Sequence, residues 1–366
     1  MSKIDQFDIY LKDDGPVAIV IREHLISVEG ADGVIFPATY AAGKEGFPGG
    51  YNIDGDPDGE NVALIDSVGA QANRIEPIFA DAPYASLIPQ IVITAGSKSI
   101  NLLHAGHRAG DAIVRSTPLH DFVQKAFRSV LAGDVEPLTK IAPTSLVFGA
   151  WDSRDTQAKV PRLISSTIRA FNVRRLTRSA QFNPAVEYVK EGLLDEPADK
   201  ETKDMYAEKG YIHIPAPSSH GGIISKGGIR RDATLSLSAL RLLKGANADR
   251  TLIIQRYVLG LALVAFTHPP AGYLRQGTNL CLDPENPSRV DAVYPNGRRD
   301  PFSVSHDDAR AYAELTAAAF VVTQPEGPFV FEKERALKDV TPDEKKTGKS
   351  KVGKKTKDTT AVPGDA

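Results

Sequence analysis

Between Arg154 and Arg178 the chain sets seven bases, Arg154, Lys159, Arg162, Arg169, Arg174, Arg175 and Arg178, against one acid, Asp155. Solvated faces ordinarily mix signs, with acids four residues from bases. An uncompensated cluster repels itself unless a polyanion is present, and the planar fork of arginine suits phosphate. The stretch therefore points to a nucleic-acid backbone, with Ser153 and Ser166 as small hydroxyl donors beside it. The plain alternative is a solvated surface. KGGIRRDATLSL (226–237) is similar: Lys226, Arg230 and Arg231 stand beside Gly227 and Gly228, which allow close backbone approach to a ligand.

Other candidate chemistry is sparse. His104 and His107, with Asp111 nearby, offer a metal pair and hence a metal-dependent nuclease, but no third ligand has metal-site spacing. His107 and Arg108 touching phosphate or base fits the basic stretch better. AGSKS (95–99), with Lys98, and AAGKEG (41–46) lack P-loop spacing, and no GxSxG, HExxH or GxGxxG occurs. Trp151, the only tryptophan, reads as core, with a base-stacking platform as the alternative. No catalytic constellation, metal or cofactor is expected.

Composition bounds the class. The 366 residues hold 44 bases and 46 acids with 42% apolar residues, enough for a real core and no global nucleic-acid signal. Residues 1–330 alone hold 34 bases and 39 acids, so any cationic surface is local. Cys281, the single cysteine, excludes an internal disulfide framework. No run reads as long enough to span a bilayer and MSKIDQFDIY is no secretory signal, so a cytoplasmic setting is expected.

These residues need elements to hold them. The pattern predicts a strand within 15–30, a Gly/Pro/Asp-rich loop over 31–60, helical spacing from Val62 to Phe79, and a strand at QIVITA. Thr117 and Pro118 open a helix whose buried stripe is Leu119, Phe122, Val123, Ala126, Phe127, Val130 and Leu131, ended by Gly133. TSLVFGAW (144–151) reads as a strand. A helix then starts at Pro161, with Val160, Leu163, Ile164, Ile168 and Phe171 on one side and Lys159, Arg162, Ser166 and Arg169 on the other. Residues 182–230 form an insertion lobe, and GGIISKGGIRRDATLSLSALRLLKG (221–245) reads as a β-hairpin leading to a strand. A helix over 251–267, a strand at LRQGTNLCLD and a helix over 305–320 follow. The region from 341 to 366, with seven lysines between Lys345 and Lys357, is too polar to fold and is expected to be disordered.

NRIE (73–76), AGHRAGDAIVRST (105–117), FGAWDSR (148–154), GGIRRDATLSLSALR (227–241) and LRQG (274–277), in that order, resemble the type I-G (formerly I-U) CRISPR-associated Cascade backbone subunit of the RAMP superfamily. The resemblance spans roughly 15–280. It implies an α+β fold: an RRM-like, ferredoxin-like palm over 1–340, with insertions forming a thumb and accessory lobes. It also implies a non-enzymatic role: copies stacked head to tail along one CRISPR RNA, with other Cascade subunits as partners, presenting the spacer to target DNA. By that analogy 223–237 is the thumb. The matching segments add Arg74 and Arg275 to an RNA-binding set of Lys98, His107, Arg108, Trp151, Ser153, Arg154, Lys159, Arg162, Ser166, Arg169, Arg174, Arg175, Lys226, Arg230 and Arg231. Two departures stand out. Asp32–Pro37 lacks the family's basic residue, and Arg154–Lys159 replaces a glycine-rich loop, shifting weight from backbone amides to side chains. A general single-strand-binding protein remains the non-CRISPR alternative.

Overall fold

The structure, a computed structural model, describes residues 3–43, 46–57, 59–269 and 272–341. The elements that position the site are, in chain order, β1 (Ala18–Ser27), β2 (Asn61–Asp66), α1 (Val68–Ile75), α2 (Leu119–Leu131), α3 (Thr144–Phe148), β3 (Ala150–Trp151), β4 (Lys159–Val160), β5 (Ile164–Phe171), β6 (Val173–Phe182), α4 (Lys200–Lys209), β7 (Ile214–Ser225), β8 (Ile229–Ser236), α5 (Ala248–Thr267), β9 (Thr278–Leu282), β10 (Arg289–Val293) and α6 (His306–Phe320). The fold is α+β.

One antiparallel sheet organises the molecule. β1 lies at its centre, paired along one side with β8 and along the other with β10 at its start and β9 at its end. β8 pairs with β5, and β5 with β2. Alternation on these strands buries one face: Ile19, Ile21 and Leu25 on β1, Ile164, Ile168 and Ala170 on β5, and Ile229, Ala233 and Leu235 on β8. Two apolar clusters cover that face, the larger built on α2, α3, α5 and α6. Helix α5 is buried on nearly all sides from Ile254 to Phe266. By length and composition it is long enough to cross a bilayer, contrary to the sequence reading, yet it packs as the core helix of this domain. Gly260 is where α6 crosses it: a Cβ there would lie 2.6 Å from Thr316 Oγ1 and 2.9 Å from Ala313 Cα.

Several expected elements changed type. The helix from Pro161 is strand β5, because β-branched and small residues there complete a sheet between β2 and β8. The strand expected at 144–151 is helix α3 followed by β3. All five α3 residues are buried, and a short run buried on every side has no readable period. Val62–Phe79 divides into β2, α1 and a further helical turn. LRQGTNLCLD is two strands, Tyr273–Arg275 and β9, turned at Gly277. On α2, Phe122 and Leu131 are each 60% exposed, not part of the buried stripe. The Lys-rich tail lies outside the described residues.

The expected hairpin within 221–245 is not one. β7 pairs with β6, and β8 with β5, so 164–182 and 214–236 run as one long two-stranded ribbon. Its inner part belongs to the sheet. Its outer part, β6 and β7, leaves the sheet as an arm carrying residues 183–213 at its tip. The bend falls at Asn172 (φ 48°) and at Gly228 (φ 82°), where Gly227 and Lys226 donate to Phe171 and Asn172 carbonyls. The 31–60 loop braces the arm: Ile35 bridges Ile223, and the Tyr51 hydroxyl accepts from the Gly222 amide.

Candidate nucleic-acid interface

The uncovered face of the sheet carries the residues that alternate with the core. On β1 these are Val20, Arg22 and His24, on β5 Thr167, Arg169 and Phe171, and on β8 Arg230, Asp232 and Thr234. The register sets them side by side: His24 opposite Arg230, Arg22 opposite Asp232, Arg169 opposite Arg230 and Thr167 opposite Asp232. Two guanidinium groups, those of Arg22 and Arg230, therefore share one carboxylate, and Arg169 faces Arg230. Arg230 Nε lies 2.9 Å from Asp232 and Arg22 Nε 3.7 Å, while Arg169 donates to the Thr167 hydroxyl at 2.6 Å. Arg230 also stacks 4.7 Å over the Phe171 ring. Like charges facing across strands cost stability, so this arrangement favours an anion.

A second cationic surface is a groove of about 710 Å³ at the β3–β4 corner, lined by Gly106, His107, Arg108, Trp151, Ser153, Lys159 and Arg162 among others. Trp151 is 54% exposed, with Lys159 Nζ 4.8 Å from its ring centroid, so it is not the core residue expected. Arg162 reaches solvent, yet partial burial and then the neighbouring Arg108 push its pKa below the ordinary arginine value. Gly149 (φ 81°) makes the corner possible: a Cβ there would meet Arg162 Cγ at 2.6 Å. The 152–158 loop is built on buried Asp152, which accepts from the Thr156 amide (2.8 Å), the Thr156 hydroxyl (2.6 Å) and Gln124 (3.1 Å). Burial works against its charge, but those bonds prevail and hold its carboxyl below the usual range.

The proposed RNA-binding set divides sharply. Arg154, Lys159, Arg162, Arg174, Arg175 and Lys226 are exposed, and none forms an ion pair with a described residue. His107 and Lys98 are exposed and Ser153 half-buried, and Arg174 and Lys226 share a small cleft at the base of the arm. Trp151, Arg169 and Arg230 lie on the surfaces just described, and the remaining five, Arg74, Arg108, Ser166, Arg231 and Arg275, are engaged internally. Arg74 and Arg275 both bind buried Asp66, each at 3.0 Å, and Gln71 joins Asp66 to Ser166. That network ties the Tyr273–Arg275 strand to the sheet, so Arg74, Arg275 and Ser166 are each held by internal partners. Arg231 is 4% exposed and pairs with Glu23 beneath the sheet. Arg108, with φ 52°, is buried against Glu76 at 2.6 Å, with one terminal nitrogen unbonded. Nor do the basic residues share one helical face. As a strand, β6 sends Arg174 and Arg175 to opposite sides.

The sequence reading missed Arg22 and His24. Their signal is alternation in VIREHL, where Val20, Arg22 and His24 interleave with Ile21, Glu23 and Leu25. Asp111, offered as a metal ligand, instead caps the helix Ala112–Arg115 by accepting from Ile113. Among the described residues no three His, Cys, Asp or Glu gather to hold a metal.

Residues 19–175 match a family model, CRISPR-associated protein GSU0053 (Cas_GSU0053). The matched stretch is thus similar to a CRISPR-associated protein family, and it contains β1, the groove and β5. None of the curated proteins compared with the chain matches it.

Proposed function

We propose that this protein is a sequence-independent RNA-binding backbone subunit of a type I-G CRISPR surveillance complex, gripping guide RNA and presenting it to target DNA. The observation that carries the proposal is the open sheet face, with Arg22 and Arg230 sharing Asp232, Arg169 facing Arg230, and Phe171 beneath Arg230. The strand order supports an RRM-like palm. Taking β1, β5, β8 and β9/β10 as first to fourth, the spatial order is fourth, first, third, second, that of a split βαβ sheet. Such sheets hold single strands on one face by stacking and phosphate contact. A guide holder must ignore sequence and leave base edges free, which arginines and an aromatic platform permit. The arm formed by β6 and β7, not 223–237 alone, is the thumb in this reading, and copies stack head to tail on the RNA.

The test is co-purification. Arg162→Glu with Arg169→Glu leaves the fold intact, since both side chains reach the surface and Arg169 faces Arg230. RNA content should fall to background, read by absorbance ratio and by sequencing of the bound strand. Wild-type RNA content in that variant refutes the proposal, and mixed cellular RNA on the wild type would favour a general single-strand binder.

A further inference from the structure

The groove at the β3–β4 corner differs in kind from the sheet face. On the sheet, cations are spread along strands and Asp232 lies among them. In the groove His107, Arg108, Trp151, Ser153, Lys159 and Arg162 gather around one hollow, and among the described residues no acid lines it. The acids nearest in sequence are engaged elsewhere. Asp111 accepts from the His107 and Ile113 amides, and Asp152 accepts from Thr156 and Gln124. Gly149 brings the two arginines together. Its carbonyl accepts from Arg108 Nη1 at 3.3 Å, and Arg162 Cγ lies where a side chain on Gly149 would begin.

Arg108 makes the hollow a built site. It is 6% exposed, Glu76 holds only its Nε, and its Nη2 has no hydrogen-bond partner. A buried donor left unmatched costs stability. Its backbone is also left-handed, a strain that collects at binding sites. In front of it Arg162 and Lys159 carry charge with no described ion-pair partner. Burial and the nearby Arg108 hold the Arg162 pKa below the ordinary arginine value, the mark of a site short of an anion. A phosphomonoester carries about −1.5 to −2 near neutral pH, nearly twice the charge of a diester within a strand. Two free cations backed by a third match the monoester. Lys159 Nζ stands over the Trp151 ring, so the phosphate-binding charge adjoins a flat aromatic surface within one nucleotide's reach. The groove, about 710 Å³, has the size of a small-molecule site.

We propose that this groove holds a single nucleotide by a terminal phosphomonoester, with the phosphate on Arg162 and Lys159 in front of Arg108 and the base on the Trp151 ring. A free nucleoside monophosphate and the phosphorylated end of a strand share this chemistry. The site does not depend on the sheet face or on stacking of copies. Trp151 is the only tryptophan, so quenching of its fluorescence reports on the groove. Full-length protein freed of nucleic acid in high salt is titrated with a nucleoside monophosphate, the matching nucleoside, and one short RNA with and without an end phosphate. The phosphate should strengthen quenching by about tenfold or more over the ligand that lacks it. Saturation by the free monophosphate assigns the site to free nucleotide, and a response to end-phosphorylated RNA alone assigns it to a strand end; either supports the proposal. Arg162→Gln with Lys159→Gln, both at exposed positions, should bring the preference for phosphorylated over unphosphorylated ligand to about one, whatever the change in overall RNA affinity. Equal quenching by both RNAs with none from the monophosphate, or a preference that survives the double substitution, overturns the proposal and leaves RNA binding on the sheet standing. A wild type that responds to the monophosphate yet binds no RNA would instead overturn the RNA reading and leave this site intact.

Discussion

Arg230 and Arg231 are neighbours in sequence and opposites in role. Strand alternation sends Arg230 to the open face and Arg231 beneath the sheet, against Glu23. Arg231→Met leaves the mostly covered Glu23 carboxylate without its partner and should cost about 3 kcal/mol in denaturant unfolding. Arg230→Met should change stability by less than about 1 kcal/mol while weakening RNA binding in a filter assay. Asp152 yields a pH prediction. Its folded pKa lies below the ordinary value, so its contribution is complete above the unfolded carboxylate range and is lost as pH falls through the folded pKa. Asp152→Ala should remove about 1–3 kcal/mol at neutral pH, and its stability deficit should shrink on acidification. Equal deficits at neutral and acid pH would count against that role.

At the scale of elements, the α5–α6 crossing and the ribbon decide most. Gly260→Ala must push Thr316 and Ala313 away, and should lower stability by about 1–3 kcal/mol without changing RNA affinity, as thermal unfolding and titration would show. The ribbon explains why the basic stretch resists a helical reading. Arg162, Arg169 and Arg174 lie along one extended path, so their charges spread over roughly 40 Å at about 3.3 Å per residue. A helix would have gathered them within half that length. The cations thus fall on two surfaces, the Trp151 corner and the sheet face, with the arm continuing from the latter.

For the whole molecule, an acidic body with local cationic surfaces should bind RNA with strong salt dependence. If about six phosphates are neutralised per copy, log K against log salt should have a slope near −4 for a single strand, and Arg22→Gln should reduce it by about 0.7. A slope near zero would place affinity in stacking instead.

Local chemistry was legible in the chain. The helix opened at Pro118 and stopped at Gly133, the Ser305 cap of α6, the apolar α5 and the excess of base over 154–178 all follow from residue type and near neighbours. Partnership was not. Whether Ile164–Phe171 becomes helix or strand depends on β2 and β8, the latter about sixty residues later, and whether an arginine meets solvent or a carboxylate depends on register. Arg74 and Arg275 are two hundred residues apart, yet they converge on Asp66. Composition fixes how many cations there are; only the pairing of distant strands decides which of them remain available.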